Sequence, residues 1–154
     1  MFERGKGGEV RLRLSRDERS LLAGLAEELR ALLDGAPGDP SLRRLFPPAY
    51  DEERDERAYR ELMGGELLDG RRAALDLVAE TVDRDRLSAE EADTWLRALN
   101  DLRLVLGTRW DVTEQLDYGE LDLDEPRGRE LAVYGYLSWL QEQLVEALQP
   151  ASGR

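Results

Sequence analysis

This sequence predicts an all-α, single-domain fold: a mainly helical bundle of about four to five helices, with a small two-stranded ribbon from residues 9–14 and 118–123. Three observations carry that expectation. Leucines recur at helical spacing in several separate stretches, and two of these stretches open with a Ser-x-x-Glu capping box. The 154 residues also show neither an internal repeat nor a second domain boundary, so 1–154 reads as one helical domain.

The first element is "EVRLRL" (9–14), where Val10, Leu12 and Leu14 alternate with charged residues in the period of a half-buried strand. Ser15 and Glu18 then form the first capping box, each side chain satisfying a backbone N–H of a helix start. Leu21, Leu22, Leu25, Leu29, Leu32 and Leu33 follow at helical spacing, and Asp34-Gly35 closes a helix over about 16–34. "GAPGDP" (35–40) is a loop by composition. "SLRRLFPPAY" (41–50) predicts a short apolar turn stopped by Pro47-Pro48, with Phe46 and Tyr50 as a candidate apolar surface.

A mostly helical stretch is expected from Asp51 to about Asp85, with Tyr59, Leu62, Met63, Leu67, Leu68, Leu75, Val78 and Val82 as its core side. Gly64-Gly65 and Gly70 weaken it, so a break near Gly64 is expected. Ser88 and Glu91 form the second capping box, opening a helix that ends near Gly107. Asp124 or Glu125 before Pro126 starts the last helix, whose core side holds Leu131, Tyr134, Leu137, Leu140, Leu144 and Leu148.

Composition removes whole classes of chemistry. The chain has no cysteine, hence no disulfide, thiolate metal site, cysteine nucleophile or thiol redox sensor. It has no histidine, which removes the commonest general base, the commonest zinc ligand and any Ser-His-Asp triad. A net charge of −12 argues against broad contact with nucleic acid or anionic lipid. The sequence offers no membrane span and no signal peptide at its start, so a cytoplasmic location is expected.

Charge is unevenly spread. Residues 111–125 hold seven acids (Asp111, Glu114, Asp117, Glu120, Asp122, Asp124 and Glu125) and no base, whereas residues 1–19 carry six bases against four acids. One reading pairs the two stretches as strands, with Arg11 and Arg13 facing Asp122 and Asp124; cross-strand charge pairs contribute about 0.2–1 kcal/mol each. The other reading is a solvated acidic loop. "DYGELDLDE" lacks the register of a calcium loop, and "GKGG" near the N-terminus lacks phosphate-loop form. Neither a metal, a cofactor nor a catalytic residue is therefore assigned.

The most apolar-looking helix, "WLRALNDLRLVLGTRW" (95–110), carries polar residues in its middle. At 3.6 residues per turn, Trp95, Ala98, Leu99, Leu102, Val105 and Leu106 share one face. Asn100 and Asp101 point away from its centre, Arg103 lies on its border, and Leu104 sits on the polar side in need of a neighbour. Three readings follow for this cluster. In the structural one, Arg103 pairs with an acid of the 51–85 stretch such as Glu66, while Asn100 and Asp101 are solvated or bond a loop. In the second, Asn100, Arg103 and Leu104 meet a partner. In the third, Asp101 is an acid–base catalyst.

"LRRLFPPAYDEERDERAYRELMGGELL", "LSAEEADTWLRALNDLRLVLGTRW" and "YLSWLQEQLVEAL" together resemble an actinobacterial helical family of unknown function, to which the AosR-type oxidative-stress transcription regulators belong. The resemblance covers nearly the whole chain. It implies a small non-enzymatic regulator acting through protein contacts, with a sigma factor or RNA polymerase as partner. The redox-regulated branch carries a Cys-x-x-x-Cys pair that this chain lacks, so thiol sensing does not transfer. Alternatives from other classes are a structural homo-oligomer subunit, a homodimer included, and an enzyme working with carboxylates alone.

Overall fold

The computed structural model of the chain describes residues 1–35, 39–45, 66–112 and 122–149. In chain order these form strand β1 (Phe2–Arg4), strand β2 (Val10–Leu12), helix α1 (Arg16–Gly35), a 3-10 segment (Pro40–Leu45), helix α2 (Glu66–Thr81), strand β3 (Arg86–Leu87), helix α3 (Ala89–Arg109) and helix α4 (Pro126–Leu148). The mainly helical, single-domain expectation holds.

The ribbon is a three-stranded antiparallel sheet in the order β1-β2-β3, and this corrects the predicted partner of residues 9–14. Phe2, Glu3 and Arg4 lie opposite Leu12, Arg11 and Val10, while Val10 and Arg11 lie opposite Leu87 and Arg86. Both edges of β2 are thus taken by β1 and β3, and of the predicted partner strand residues 118–121 lie outside the described residues. Arg13 pairs with Glu3 at 2.9 Å instead of facing Asp124. Asp122 and Asp124 lie in the turn before α4, where Asp124 N–H donates to Asp122 Oδ1 at 2.9 Å. The β1–β2 connection is tight because Gly7 (φ 65°) and Gly8 (φ 84°) take a left-handed conformation that side chains disfavour.

Alternation along β2 buries Val10 and Leu12 against the helices and leaves Arg11 in solvent. Both capping boxes form. Ser15 Oγ accepts from Glu18 N–H at 3.1 Å, and Ser88 Oγ accepts from Glu91 N–H at 3.0 Å, each with the reciprocal carboxylate bond. α1 buries Leu22, Leu25, Leu29 and Leu33 as their spacing required. α2 ends at Thr81, so the predicted helix to 85 stops a turn early and Val82 enters the core from the loop. Leu68, Leu75 and Val78 are buried; Tyr59, Leu62 and Met63 lie outside the described residues, as does the side chain of Leu67. α3 continues past Gly107 to Arg109.

The core centres on Trp95, which is fully buried with Phe2 edge-on at 5.8 Å. Its indole N–H is satisfied by Thr81 Oγ1 at 2.8 Å, and that hydroxyl donates to the Leu77 carbonyl at 2.6 Å. Arg19 fastens the sheet to the helices by donating to four carbonyls, those of Leu12, Leu14, Val82 and Arg84, at 2.6–3.3 Å. At the far end of α3, Asp111 turns the chain with φ 49°, and Arg127 of α4 donates to the carbonyls of Trp110 and Asp111. Gly128 permits this close return, since a methyl group there would fall 1.8 Å from the Asp122 carbonyl oxygen.

Candidate functional site

The polar residues of α3 split into two clusters on opposite flanks of the helix. Asp101 is 4% exposed, which corrects its predicted solvation. Its neighbour is Arg71 of α2, whose Nη1 donates to Asp101 Oδ1 while Nη2 donates to the Leu45 carbonyl at 2.8 Å. One guanidinium thereby joins three elements: α2, α3 and the end of the 3-10 segment. Burial raises the Asp101 carboxyl above its ordinary range, and Arg71 offsets part of that rise by favouring the charged form.

Beside this pair lies a groove of about 520 Å³ between α2 and α3, with Ala73, Ala74 and Leu77 along one wall and Thr94 and Arg97 along the other. Among the described residues lining it, Asp101 is the one acid. Acid–base catalysis by carboxylates alone needs two such groups with pKa values driven apart. Among the described residues no cluster of three acids is placed to hold a metal ion.

On the other flank, Arg103 Nη1 donates to Gln141 Oε1 of α4 at 2.9 Å, and its guanidinium lies 6.0 Å from the centre of the Tyr134 ring. The acceptor is a neutral amide; of the predicted acids in the 51–85 stretch, those of 51–65 and the side chain of Glu66 lie outside the described residues. Gln141 Nε2 in turn donates to Asn100 Oδ1 at 3.4 Å, so Asn100 joins this cluster and not that of Asp101. Leu104 is half-buried and packs against the core, which satisfies the neighbour it was expected to need. Gly107 admits the Tyr134 ring edge, with 3.0 Å between that ring and the position of an added methyl.

A third feature was absent from the sequence reading. Tyr136 donates its hydroxyl to Glu18, which also anchors the first capping box, and the Tyr136 ring lies tilted by 31° beside Trp139, with ring centres 6.2 Å apart. Burial, then the Glu18 carboxylate, drives the Tyr136 hydroxyl pKa far upward, so it remains a donor. Trp139 is 42% exposed, a large aromatic held at the surface by a fixed neighbour. Of the remaining sequence candidates, Phe46, Tyr50, Asp117 and Glu120 lie outside the described residues.

Capped helices around one core, a sheet of three short strands and a buried charge tied up by an arginine define a small helical domain. The chain belongs to a family described as domain of unknown function DUF2017, whose model matches residues 1–148. It is 34% identical over 143 residues to proteins named oxidative stress regulator AosR in Mycobacterium tuberculosis and in Mycobacterium bovis. The match covers 79% of this chain and 65% of each relative, so the chain spans slightly less than two thirds of their length. No solved structure matches the chain. No helix among the described residues is long and apolar enough to cross a membrane.

Proposed function

We propose that this chain is a stress-linked regulator that acts through protein contacts, carries out no chemistry of its own and responds to an input other than thiol oxidation. The observation that carries this reading is the 34% identity over 143 residues to proteins named oxidative stress regulator. The site geometry supports it. Asp101, the one buried carboxylate among the described residues, is engaged by Arg71, and Arg71 is engaged by backbone. That arrangement holds α2, α3 and the 3-10 segment together. With no cysteine in the chain, a regulatory signal must enter by binding, by modification or by a change in abundance.

A net charge of −12, with seven acids and no base in residues 111–125, suits a partner that presents a basic surface. Complementary charge of this kind speeds encounter and selects the partner. A sigma factor or RNA polymerase in the cytoplasm is the partner class the regulator reading calls for. The test is direct binding of the purified chain to RNA polymerase core enzyme, to free sigma factors and to the holoenzyme. Saturable binding to one of these is expected, weakened when Asp117, Glu120 and Asp124 are changed to their amides. Absence of binding to all three at low ionic strength would reject the reading.

A further inference from the structure

The outward side of α4, together with Arg103, carries charges of both signs that form no ion pair among the described residues. Among the described residues, Arg103 has no carboxylate within ion-pair distance; its guanidinium donates to the amide of Gln141, and its Nε is buried without an acceptor. Glu142 and Glu146, both exposed, line the same groove of about 280 Å³ with Arg103, Gln141 and Val145, and among the described residues no cation pairs with either. Most other arginines with a structural role here are matched: Arg13, Arg30, Arg71, Arg72, Arg84 and Arg97 each meet a carboxylate.

Apolar surface coincides with these charges. At about 100° per residue, Trp139 and Val145 lie about 60° to either side of Glu142 on α4. They are two of the four large apolar side chains that stay exposed among the described residues, at 42% and 36%. Exposed apolar residues bordering unmatched charges of both signs describe a surface that is complementary to itself. A two-fold axis over the Val145 groove would bring Arg103 of each copy to the carboxylates of the other, giving two equivalent pairs from one patch, as an isologous contact requires.

We propose that this face, formed by Arg103, Trp139, Glu142, Val145 and Glu146, joins two copies of the chain into a symmetric dimer through reciprocal Arg103–Glu142/Glu146 pairs. A desolvated arginine–carboxylate pair is a strong, directional contact, and the partner's carboxylate supplies the acceptors that Arg103 lacks. The net charge of −12 on each copy opposes association. Screening over a Debye length of about 8 Å at physiological salt limits that repulsion to charges near the contact.

The test is sedimentation equilibrium of the purified chain over a range of concentration, with charge-swapped variants. The wild type is expected to self-associate to a dimer. Arg103→Glu alone, and Glu142→Arg with Glu146→Arg, should each weaken dimerisation about tenfold or more, since each places like charges in contact. An equimolar mixture of the two variants should recover a heterodimer, because both cross-pairs are then attractive. Circular dichroism checks that each variant is folded, and Arg103→Gln serves if Arg103→Glu is not. A wild type that stays monomeric at millimolar concentration overturns the proposal. So does a dimer indifferent to all the variants, or a mixture that fails to associate. A monomer that still binds RNA polymerase would leave the functional reading standing while removing this one.

Discussion

Asp101 and Arg103 stand two residues apart on α3, about 200° around its axis, and meet different neighbours. Asp101 turns towards α2, loses almost all contact with water and is matched by a full opposite charge that also reaches backbone. Arg103 turns towards α4, keeps its stem in the packing and its head at the border, and meets a neutral amide and an aromatic face. Solvent access accounts for the difference. A carboxylate in the interior requires a paired cation because desolvation alone costs several kcal/mol. A guanidinium at the edge retains enough water to do without one.

The largest test of this contrast is Asp101→Ala. It removes the buried carboxylate that Arg71 engages, and unfolding in urea should show a loss of about 3 kcal/mol, in the range for breaking one side of a buried pair. The double change Asp101→Leu with Arg71→Met should recover most of that loss, since replacing both members of a buried pair by apolar groups costs far less than removing one. A double mutant as unstable as Asp101→Ala would mean that the pair contributes position and packing that apolar groups cannot replace.

Close backbone approach near the ends of α3 and α4 gives the next effect. Gly128→Ala places a methyl 1.8 Å from the Asp122 carbonyl oxygen, backbone that cannot rotate aside. The turn must shift, and a loss of about 2 kcal/mol is expected from overpacking, measured as a lowered thermal midpoint. Gly107→Ala meets only the edge of the Tyr134 ring at 3.0 Å. The alanine there gains about 1 kcal/mol of helix propensity, so the net change should be small, and Gly107→Val, with more bulk, should restore the penalty.

Acidity separates Asp101 from the other carboxyls. Its pKa is raised by burial, against the pull of Arg71, so the folded state binds its proton more tightly than the unfolded one. Its contribution to stability therefore grows as pH falls through the folded pKa and shrinks as pH rises. Glu18, Asp34, Asp39 and Glu91 are lowered, and their contributions run the other way, present above their ordinary values and lost on acidification. The stability advantage of the wild type over Asp101→Asn should widen as pH is brought from 7 towards about 4. A constant gap across that range would contradict a raised carboxyl.

How far the sequence could foresee this contrast follows from the range of each interaction. Helix starts were legible because Ser15–Glu18 and Ser88–Glu91 act across three residues, and the leucine spacing of α1 and α3 repeats over several turns. The strand at 10–12 was legible, but its partners were not. β1 has three residues and β3 has two, too short for alternation to register, and the longer alternation at 118–123 looked the better partner. The wheel of α3 placed Arg103 on the border of its apolar stripe, where it lies. It misjudged Asp101, because one helix in isolation does not show that α2 and the 3-10 segment cover its second side. Arg71 and Arg19 carried no local signal, since their acceptors lie 26 to 65 residues away or are backbone carbonyls that any sequence supplies.

The smallest expected effect falls on Arg103. In dilute monomer, Arg103→Ala removes one bond to the neutral Gln141 amide and the contact with Tyr134, so the loss should be about 1 kcal/mol or less. Gln141→Leu should cost little more, because Arg103 retains access to water while Asn100 loses only a long bond of 3.4 Å. Chemical denaturation of both variants at low protein concentration measures this. A loss from Arg103→Ala as large as that from Asp101→Ala would place Arg103 among the internal fastenings of the fold. A small loss leaves its charge free to be used at the surface.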